Sequence, residues 1–201
     1  MNKTLLELKK LNLSRNDKKI ISEMSLCVYD FSVINIFGQN GSGKTSLLKM
    51  LVGITEPTSG EIINNIDSLQ LQSFAYVGHK YGIKKNLTLI ENLVYGDSEE
   101  MTNQNMIDEV IARYGMLDFK DYLIKDLSHG QQKKVSLMKA SISNAKVWII
   151  DEPYSALDKN AVTILDESIS KHISEKGSVI MTNHEPVIDK SFKITNVEIN
   201  R

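Results

Sequence analysis

The stretch that decides the fold runs from Gly38 to Thr45 and reads Gly-Gln-Asn-Gly-Ser-Gly-Lys-Thr. It fits the pattern G-x-x-x-x-G-K-[ST], in which glycines let the backbone curl so that successive N–H groups point at phosphate oxygens. A short apolar strand, Ser32–Phe37, precedes the loop, and a helix is predicted from Lys44 to about Val52. That helix would aim its positive N-terminal end at the same phosphates.

This loop predicts an ATP site in which Lys44 binds the β- and γ-phosphates and the Thr45 hydroxyl ligates Mg²⁺. The complete predicted ATP-binding set in this segment is Gly38, Gln39, Asn40, Gly41, Ser42, Gly43, Lys44, Thr45 and Ser46.

Outward from the loop, apolar strands alternate with amphipathic helices, which predicts an α/β fold with a mostly parallel core sheet. The predicted later elements are a strand at Lys146–Asp151, a helix at Asp158–Glu175, and strands at Ser178–Thr182 and Phe192–Ile199. Extended segments within residues 3–37 predict an antiparallel β flank, and residues of about 80–140 predict an inserted helical subdomain. The whole chain, residues 1–201, is predicted to be one domain.

A pair of acidic residues, Asp151 and Glu152, ends the continuous apolar strand that starts at Lys146. Ligands collect at the carboxyl ends of strands in open α/β sheets, so Asp151 is a candidate Mg²⁺ ligand, directly or through water. Adjacent residues at a strand end project in different directions. Glu152 can therefore face a water poised on the γ-phosphate, which makes it the candidate general base.

A second candidate anion site lies in the segment Leu-Ser-His-Gly-Gln-Gln, residues 127–132. Ser128 is predicted to cap a helix over Gly130–Ser143, and a serine, a glycine and a helix N-terminus together suit a phosphate. The neighbouring Lys133 and Lys134 are interpreted as a solvated helix face.

Composition excludes several classes of protein. The 24 Lys and Arg nearly balance 25 Asp and Glu, so the basic excess of a general nucleic-acid binder is missing. Cys27 is the one cysteine, which predicts a reducing compartment and no intrachain disulfide. No apolar run approaches the roughly 20 residues that span a bilayer, so any association with a membrane is expected to come through a partner. No structural metal site is predicted.

The phosphate loop, the Leu-Ser-x-Gly-Gln segment and the apolar strand ending in Asp-Glu together resemble the ATP-binding-cassette (ABC) ATPases over nearly the whole chain. The resemblance implies a P-loop NTPase core working as a sandwich dimer of two copies of the chain. In such a dimer Ser128, Gly130 and Gln131 act in trans on the ATP of the other protomer. It further implies that Asp158 lines the dimer seam, and that His184 contacts the γ-phosphate and acts with Lys44 and Glu152 in catalysis.

Two positions depart from the usual ABC pattern. Arg15 stands near the place of the aromatic residue that stacks on adenine, and a guanidinium also stacks on a ring. His79 replaces the usual glutamine that links Mg²⁺ to the membrane partner, so it is a candidate Mg²⁺ ligand, directly or through water.

The segment from Tyr76 to Leu93, which contains His79, resembles the branch of this family that serves heme export in cytochrome c biogenesis. That resemblance implies an ATP- and Mg²⁺-dependent transport ATPase, peripheral on the cytoplasmic face of the inner membrane. Its expected partners are integral-membrane subunits, with no nucleic acid and no direct heme binding.

Three alternatives stay open. The chain could serve an ABC exporter of another substrate, or act as a soluble ABC ATPase on nucleic acid or ribosomes, although it lacks the basic footprint. The third alternative is a different phosphate-loop enzyme, such as a GTPase or a small-molecule kinase, although the guanine motif N-K-x-D of a GTPase is missing from the sequence.

Overall fold

The structure is a computed structural model that describes residues 3–16, 18–66, 73–95, 104–175 and 177–199. These residues form two sheets and five α-helices. The strands are β1 (Thr4–Arg15), β2 (Lys18–Tyr29), β3 (Val33–Phe37), β4 (Ser59–Asn64), β5 (Phe74–Val77), β6 (Val147–Ile150), β7 (Ser178–Asn183) and β8 (Ile194–Glu198). The helices are α1 (Lys44–Leu51), α2 (Leu89–Val94), α3 (Gln104–Arg113), α4 (His129–Ile142) and α5 (Lys159–Ser174), with 3-10 turns at Leu117–Phe119 and Ile124–Asp126.

The core sheet has the order β5-β6-β7-β3-β8, and β6, β7, β3 and β8 pair in parallel. Its central strands β3, β6 and β7 are buried along nearly their whole length, as is usual for parallel strands covered on both faces, and β6 is entirely apolar. The smaller sheet, β2-β1-β4, is antiparallel. The predicted fold class, an α/β P-loop core with an antiparallel flank, is confirmed.

Helix α1 is held by apolar burial. Leu47 and Leu48 are fully buried, and they share one hydrophobic cluster with Leu6 of β1 and Ile34 and Ile36 of β3. Burying a leucine contributes roughly 2 kcal/mol, so this cluster fixes the start of α1 against the end of β3. The phosphate loop joins those two ends and takes its position from them.

The chain divides into two compact units. The first comprises Met1–Tyr76, Ala145–Pro153 and Ser170–Arg201, and the second comprises Val77–Asn144 and Tyr154–Ile169. The second unit contains α2, α3 and α4, the region predicted to be a helical subdomain; residues 96–103 of that region lie outside the described residues. No helix within the described residues is long and apolar enough to span a bilayer.

Capping chemistry sets the start of α2. Thr88 accepts a hydrogen bond from the Glu91 backbone N–H, and the Glu91 carboxylate accepts one from the Thr88 N–H. The buried Asn92 amide accepts from Lys84 N and donates to Lys84 O, which holds the preceding loop in place. The segment after His79 is thus fixed by local polar contacts.

A histidine in the first unit makes folding sensitive to acid. His172 stacks on Trp148 of β6 with ring centroids 4.1 Å apart, and burial lowers its pKa to about 4 from 6.5. The unfolded chain therefore takes up this proton at a higher pH than the folded chain does. Stability should be complete above about pH 6.5 and decline as the pH falls toward 4, by roughly 3 kcal/mol at most for this shift.

Replacing His172 with phenylalanine keeps a flat ring on Trp148 but removes the proton site. We expect His172→Phe to reduce the loss of stability between pH 7 and pH 5, measured by urea unfolding at each pH. His129→Gln, which changes an exposed histidine, is the matched control. Equal pH dependence in the wild type and His172→Phe would refute this role.

Candidate ATP-binding and hydrolysis site

The phosphate loop curls tightly at three glycines, where a side chain would clash with its neighbours or strain the backbone. A Cβ on Gly38 would lie 2.5 Å from the Ile199 carbonyl oxygen, and one on Gly43 would lie 2.9 Å from Ile20 Cγ2. Gly41 and Gly43 also have left-handed backbones, with φ of 78° and 105°. Gly43 is the N-cap of α1, and no side chain among the described residues caps the helix. No capping side chain therefore occupies the first-turn N–H groups of α1. This is the local geometry that a phosphate needs.

Lys44 carries the positive charge of the loop. It is only 6% exposed, and its Nζ donates to the carbonyl oxygens of Gly38 (2.6 Å) and Gln39 (3.0 Å). These two carbonyls therefore hold the Lys44 ammonium group close to the backbone of the predicted phosphate-binding loop. Gln39 and Asn40 are exposed at the tip of the loop, and Ser46 is half-buried.

Asp151 lies at the carboxyl end of β6, beside the start of α1. The Thr45 hydroxyl donates to Asp151 Oδ2 (2.8 Å), and the Thr182 hydroxyl donates to Asp151 Oδ1 (2.5 Å). The Asp151 carboxylate is 4% exposed, and together with burial it raises the pKa of the neighbouring Tyr76 phenol. A carboxylate and a hydroxyl side by side form the all-oxygen donor set that Mg²⁺ prefers, so these residues fit the predicted metal.

The backbone of Glu152 adopts an unusual conformation. Its φ is 47°, a left-handed conformation that costs a glutamate about 1 kcal/mol or more. The Thr182 hydroxyl accepts from the Glu152 N–H (3.0 Å) while it donates to Asp151. One threonine thereby orients both acidic residues, a role that the sequence analysis missed. A signal was available, because Thr182 is a polar residue directly after the apolar run Val179–Met181 of a buried strand.

His184 follows β7 and faces Glu152, with 3.2 Å between His184 Nε2 and Glu152 Oε1. The structure thus brings together five side chains from three separate segments of the first unit. They are Lys44, Thr45, Asp151, Glu152 and His184. Arg15 lies in the same unit, exposed at the end of β1 opposite Lys18, and its predicted contact with adenine stays a prediction.

The second unit holds the other predicted site residues. Ser128 caps α4, which begins at His129, one residue before the predicted start. The Ser128 hydroxyl accepts from Gln131 N, and the Gln131 side chain accepts from Ser128 N (2.8 Å). Ser128 is exposed, and a Cβ on Gly130 would lie 2.8 Å from the Ala156 carbonyl oxygen. The glycine therefore permits close packing between this turn and the loop that precedes α5.

Asp158 directly precedes α5, and its carboxylate accepts from Ala161 N (2.8 Å) and pairs with Lys134 (2.6 Å). The hydrogen bond from Lys134 and that from Ala161 hold the Asp158 pKa below its usual value. The interpretation of Lys133 and Lys134 as a solvated face was wrong. Lys133 is 3% exposed and lies 5.5 Å from the Tyr81 ring centre, and Lys134 is bound to Asp158.

His79 is exposed in a turn directly after β5, where Tyr81 N donates to the Gly78 carbonyl. It belongs to the second unit, so its proposed link to Mg²⁺ stays a prediction. Within the described residues, no group of three or more His, Cys, Asp or Glu side chains is arranged to hold a metal ion.

A glycine loop between a parallel strand and a helix, with its threonine bonded to the acid of another strand, defines a phosphate-loop nucleotide-binding protein. A family model described as "ABC transporter" matches residues 21–155. The chain therefore belongs to the ABC transporter family, as an ATP-binding subunit.

Curated relatives are similar over the full length. The cytochrome c biogenesis ATP-binding export protein CcmA of Escherichia coli O157:H7 is 32% identical over 203 residues, covering 98% of this chain and 97% of that protein. The CcmA protein of Shigella boydii serotype 4 has the same identity and coverage.

Solved structures agree on the fold. A putative ABC transporter ATP-binding protein from Pyrococcus furiosus superposes with a TM-score of 0.78 at 25% identity, covering 96% of each chain. A dimeric ATP-binding cassette in a post-hydrolysis state, bound to ADP and Pi, superposes with a TM-score of 0.76 at 20% identity, covering 90% of this chain and 88% of that one.

Proposed function

We propose that the chain binds Mg·ATP at the phosphate loop and hydrolyses it, driving a heme exporter that serves cytochrome c biogenesis. The observation that carries the hydrolytic part is the cluster of Thr45, Asp151, Glu152 and His184, joined by hydrogen bonds through Thr182 and by the 3.2 Å contact between His184 and Glu152. Phosphoryl transfer to water needs positioning and charge neutralisation more than covalent chemistry, and these side chains are suited to both tasks.

Each residue has a role in this proposal. Lys44 neutralises the β- and γ-phosphates, while the loop N–H groups and the start of α1 orient them. Thr45 and Asp151 hold Mg²⁺, which neutralises phosphate charge when it is bound. Glu152 accepts a proton from the attacking water and orients it. His184, within hydrogen-bond reach of Glu152, contacts the γ-phosphate and keeps the carboxylate turned toward that water.

The complete site needs a second copy of the chain. Ser128 is exposed at the start of α4, and among the described residues its hydroxyl serves as an acceptor in the capping box, which leaves its proton available to donate. The first-turn N–H groups of α4 add a favourable dipole. In the proposed sandwich dimer, this turn from one protomer covers the γ-phosphate bound by Lys44 of the other. Gly130 and Asp158 then lie at the seam.

The proposal that the transported species is heme rests on the full-length similarity to cytochrome c biogenesis ATP-binding export proteins. The resemblance of the segment from Tyr76 to Leu93 supports the same branch of the family. The chain docks on integral-membrane subunits at the cytoplasmic face of the inner membrane. Dimer closure and reopening move those subunits, and heme itself touches the membrane partners rather than this chain.

Deleting the gene and isolating the tagged protein together test this function. We expect the deletion strain to lack heme-stained c-type cytochromes while it retains b-type cytochromes. Wild-type protein should restore them, and Glu152→Gln should not. The tagged wild type should co-purify with integral-membrane subunits from detergent-solubilised membranes. Normal c-type cytochromes in the deletion strain would exclude this substrate and leave an ABC exporter of another compound.

A further inference from the structure

A buried asparagine stands in the middle of the central strand. Asn35 is fully buried in β3, where its neighbours Ile34 and Ile36 are apolar core residues. A buried amide costs free energy unless it is hydrogen-bonded, and an aliphatic residue is the usual occupant of such a strand. Core packing alone therefore does not explain why an asparagine occupies this position.

Hydrogen bonds satisfy both ends of the Asn35 amide. Its Oδ1 accepts from Asn183 Nδ2 (2.8 Å), and its Nδ2 donates to Asn196 Oδ1 (2.7 Å) and to the Glu185 carbonyl oxygen (3.2 Å). The three side chains come from neighbouring strands, β7, β3 and β8. We call Asn183, Asn35 and Asn196 the asparagine chain.

Asn196 extends the asparagine chain to the segment after β7. Its Oδ1 accepts from the Val187 N–H, and its Nδ2 donates to the Val187 carbonyl, both at 3.0 Å. A paired strand would bond this backbone in the same way. The asparagine chain therefore binds the segment Asn183–Val187 at three points, through the Asn183 side chain, the Glu185 carbonyl and the Val187 peptide groups.

His184 lies between two of these points. The side chain of the residue before it and the carbonyl of the residue after it both bind the same buried amide. The His184 ring is itself exposed and reaches Glu152 across 3.2 Å. The backbone at His184 is thus fixed from inside the sheet, although its ring lies at the surface.

We propose that Asn35 is a positioning residue that, through Asn183 and Asn196, holds His184 against Glu152 for ATP hydrolysis. The proposal rests on the hydrolytic part of the proposed function. Connected hydrogen bonds that polarise one another, here centred on the fully buried Asn35 amide, favour one arrangement of the groups they join. Catalytic rates respond steeply to such placement, because a displacement of about 1 Å can cost roughly 100-fold.

Kinetics in two backgrounds test the proposal. We expect Asn35→Leu, which keeps the side-chain shape, and Asn196→Ala to lower kcat by roughly 10- to 100-fold, with little change in the KM for ATP. In a His184→Ala background the same changes should lower kcat no further, since Asn35 acts through His184. Unchanged kcat, or effects that add to that of His184→Ala, would overturn the proposal.

Val33→Ala is the matched control, because it truncates a buried residue at the N-terminal end of the same strand, β3. It should lower the thermal midpoint without the selective loss of kcat, and its effect should add to that of His184→Ala. If Asn35→Leu folds poorly, Asn196→Ala alone still tests the proposal, because Asn196 is exposed and its truncation should disturb folding less.

Hydrogen exchange supplies a measurement independent of activity. The Val187 amide should exchange faster in Asn196→Ala and in Asn35→Leu than in the wild type, while amides of α4 stay unchanged. Equal protection at Val187 would refute the anchoring role. An inactive wild-type protein would instead overturn the proposed hydrolysis and the positioning role with it, while exchange would still report whether the asparagine chain holds the segment.

Discussion

Replacing Glu152 with glutamine is expected to slow ATP hydrolysis by about 10²- to 10⁴-fold, the usual contribution of a general base. Glutamine keeps the shape and the left-handed backbone of this position, so the hydrogen bond from residue 152 N to Thr182 should persist. An amide cannot accept the proton of the attacking water. ATP binding should stay within a few-fold of the wild type, because Lys44, Thr45 and Asp151 are untouched.

The same variant should accumulate as a dimer, because bound ATP joins the protomers until it is hydrolysed. Size-exclusion chromatography with Mg·ATP is expected to show the dimer for Glu152→Gln and a mostly monomeric wild type. Glu175→Gln, the same substitution at an exposed residue after α5, is the control and should behave as the wild type does. A Glu152→Gln protein that stays monomeric with Mg·ATP would contradict the sandwich arrangement, and unchanged turnover would contradict the role of Glu152.

The fold could be predicted from the sequence because its signals are local. The glycine loop, the apolar strand ending in Asp151 and the helical period of α5 each lie within 20 residues or fewer of chain, and each specifies its own element. Predicted bounds differ from the structure by a residue at several ends. At α4 the capping box of Ser128 and Gln131 places the start at His129, ahead of the glycine.

The remaining parts of the site depend on contacts between distant residues. Thr182 bonds Asp151 across 31 positions, and Asn183 bonds Asn35 across 148 positions. No spacing rule in one sequence relates such residues, because strand order brings them together. The burial of Lys133 and the pairing of Lys134 with Asp158 were missed for the same reason. For Thr182 and Asn35 a useful sign was a polar residue within a strand that the pattern assigned to the core.

Replacing Lys44 with alanine is expected to weaken ATP binding by roughly 100-fold or more, since charged hydrogen bonds to two phosphates contribute about 3 kcal/mol or more. Lys44 is the buried cation of the loop, held by the carbonyls of Gly38 and Gln39. Titration calorimetry with Mg·ATP measures the effect. Lys49→Ala, in the same helix but beyond the loop, is the control and should bind as the wild type does. Equal affinity in Lys44→Ala and the wild type would refute the role of the loop.

Lys44→Ala can also reveal which protomer supplies Ser128. Two variants carrying Glu152→Gln are mixed, one with Lys44→Ala and the other with Ser128→Ala. If the site is shared, each mixed dimer contains one site with both defects and one intact site, because intact Lys44 and intact Ser128 come from different chains. About one ATP per mixed dimer should then be retained after rapid desalting. If each chain completed its own site, both sites would be damaged and the mixture would retain no more ATP than either variant alone.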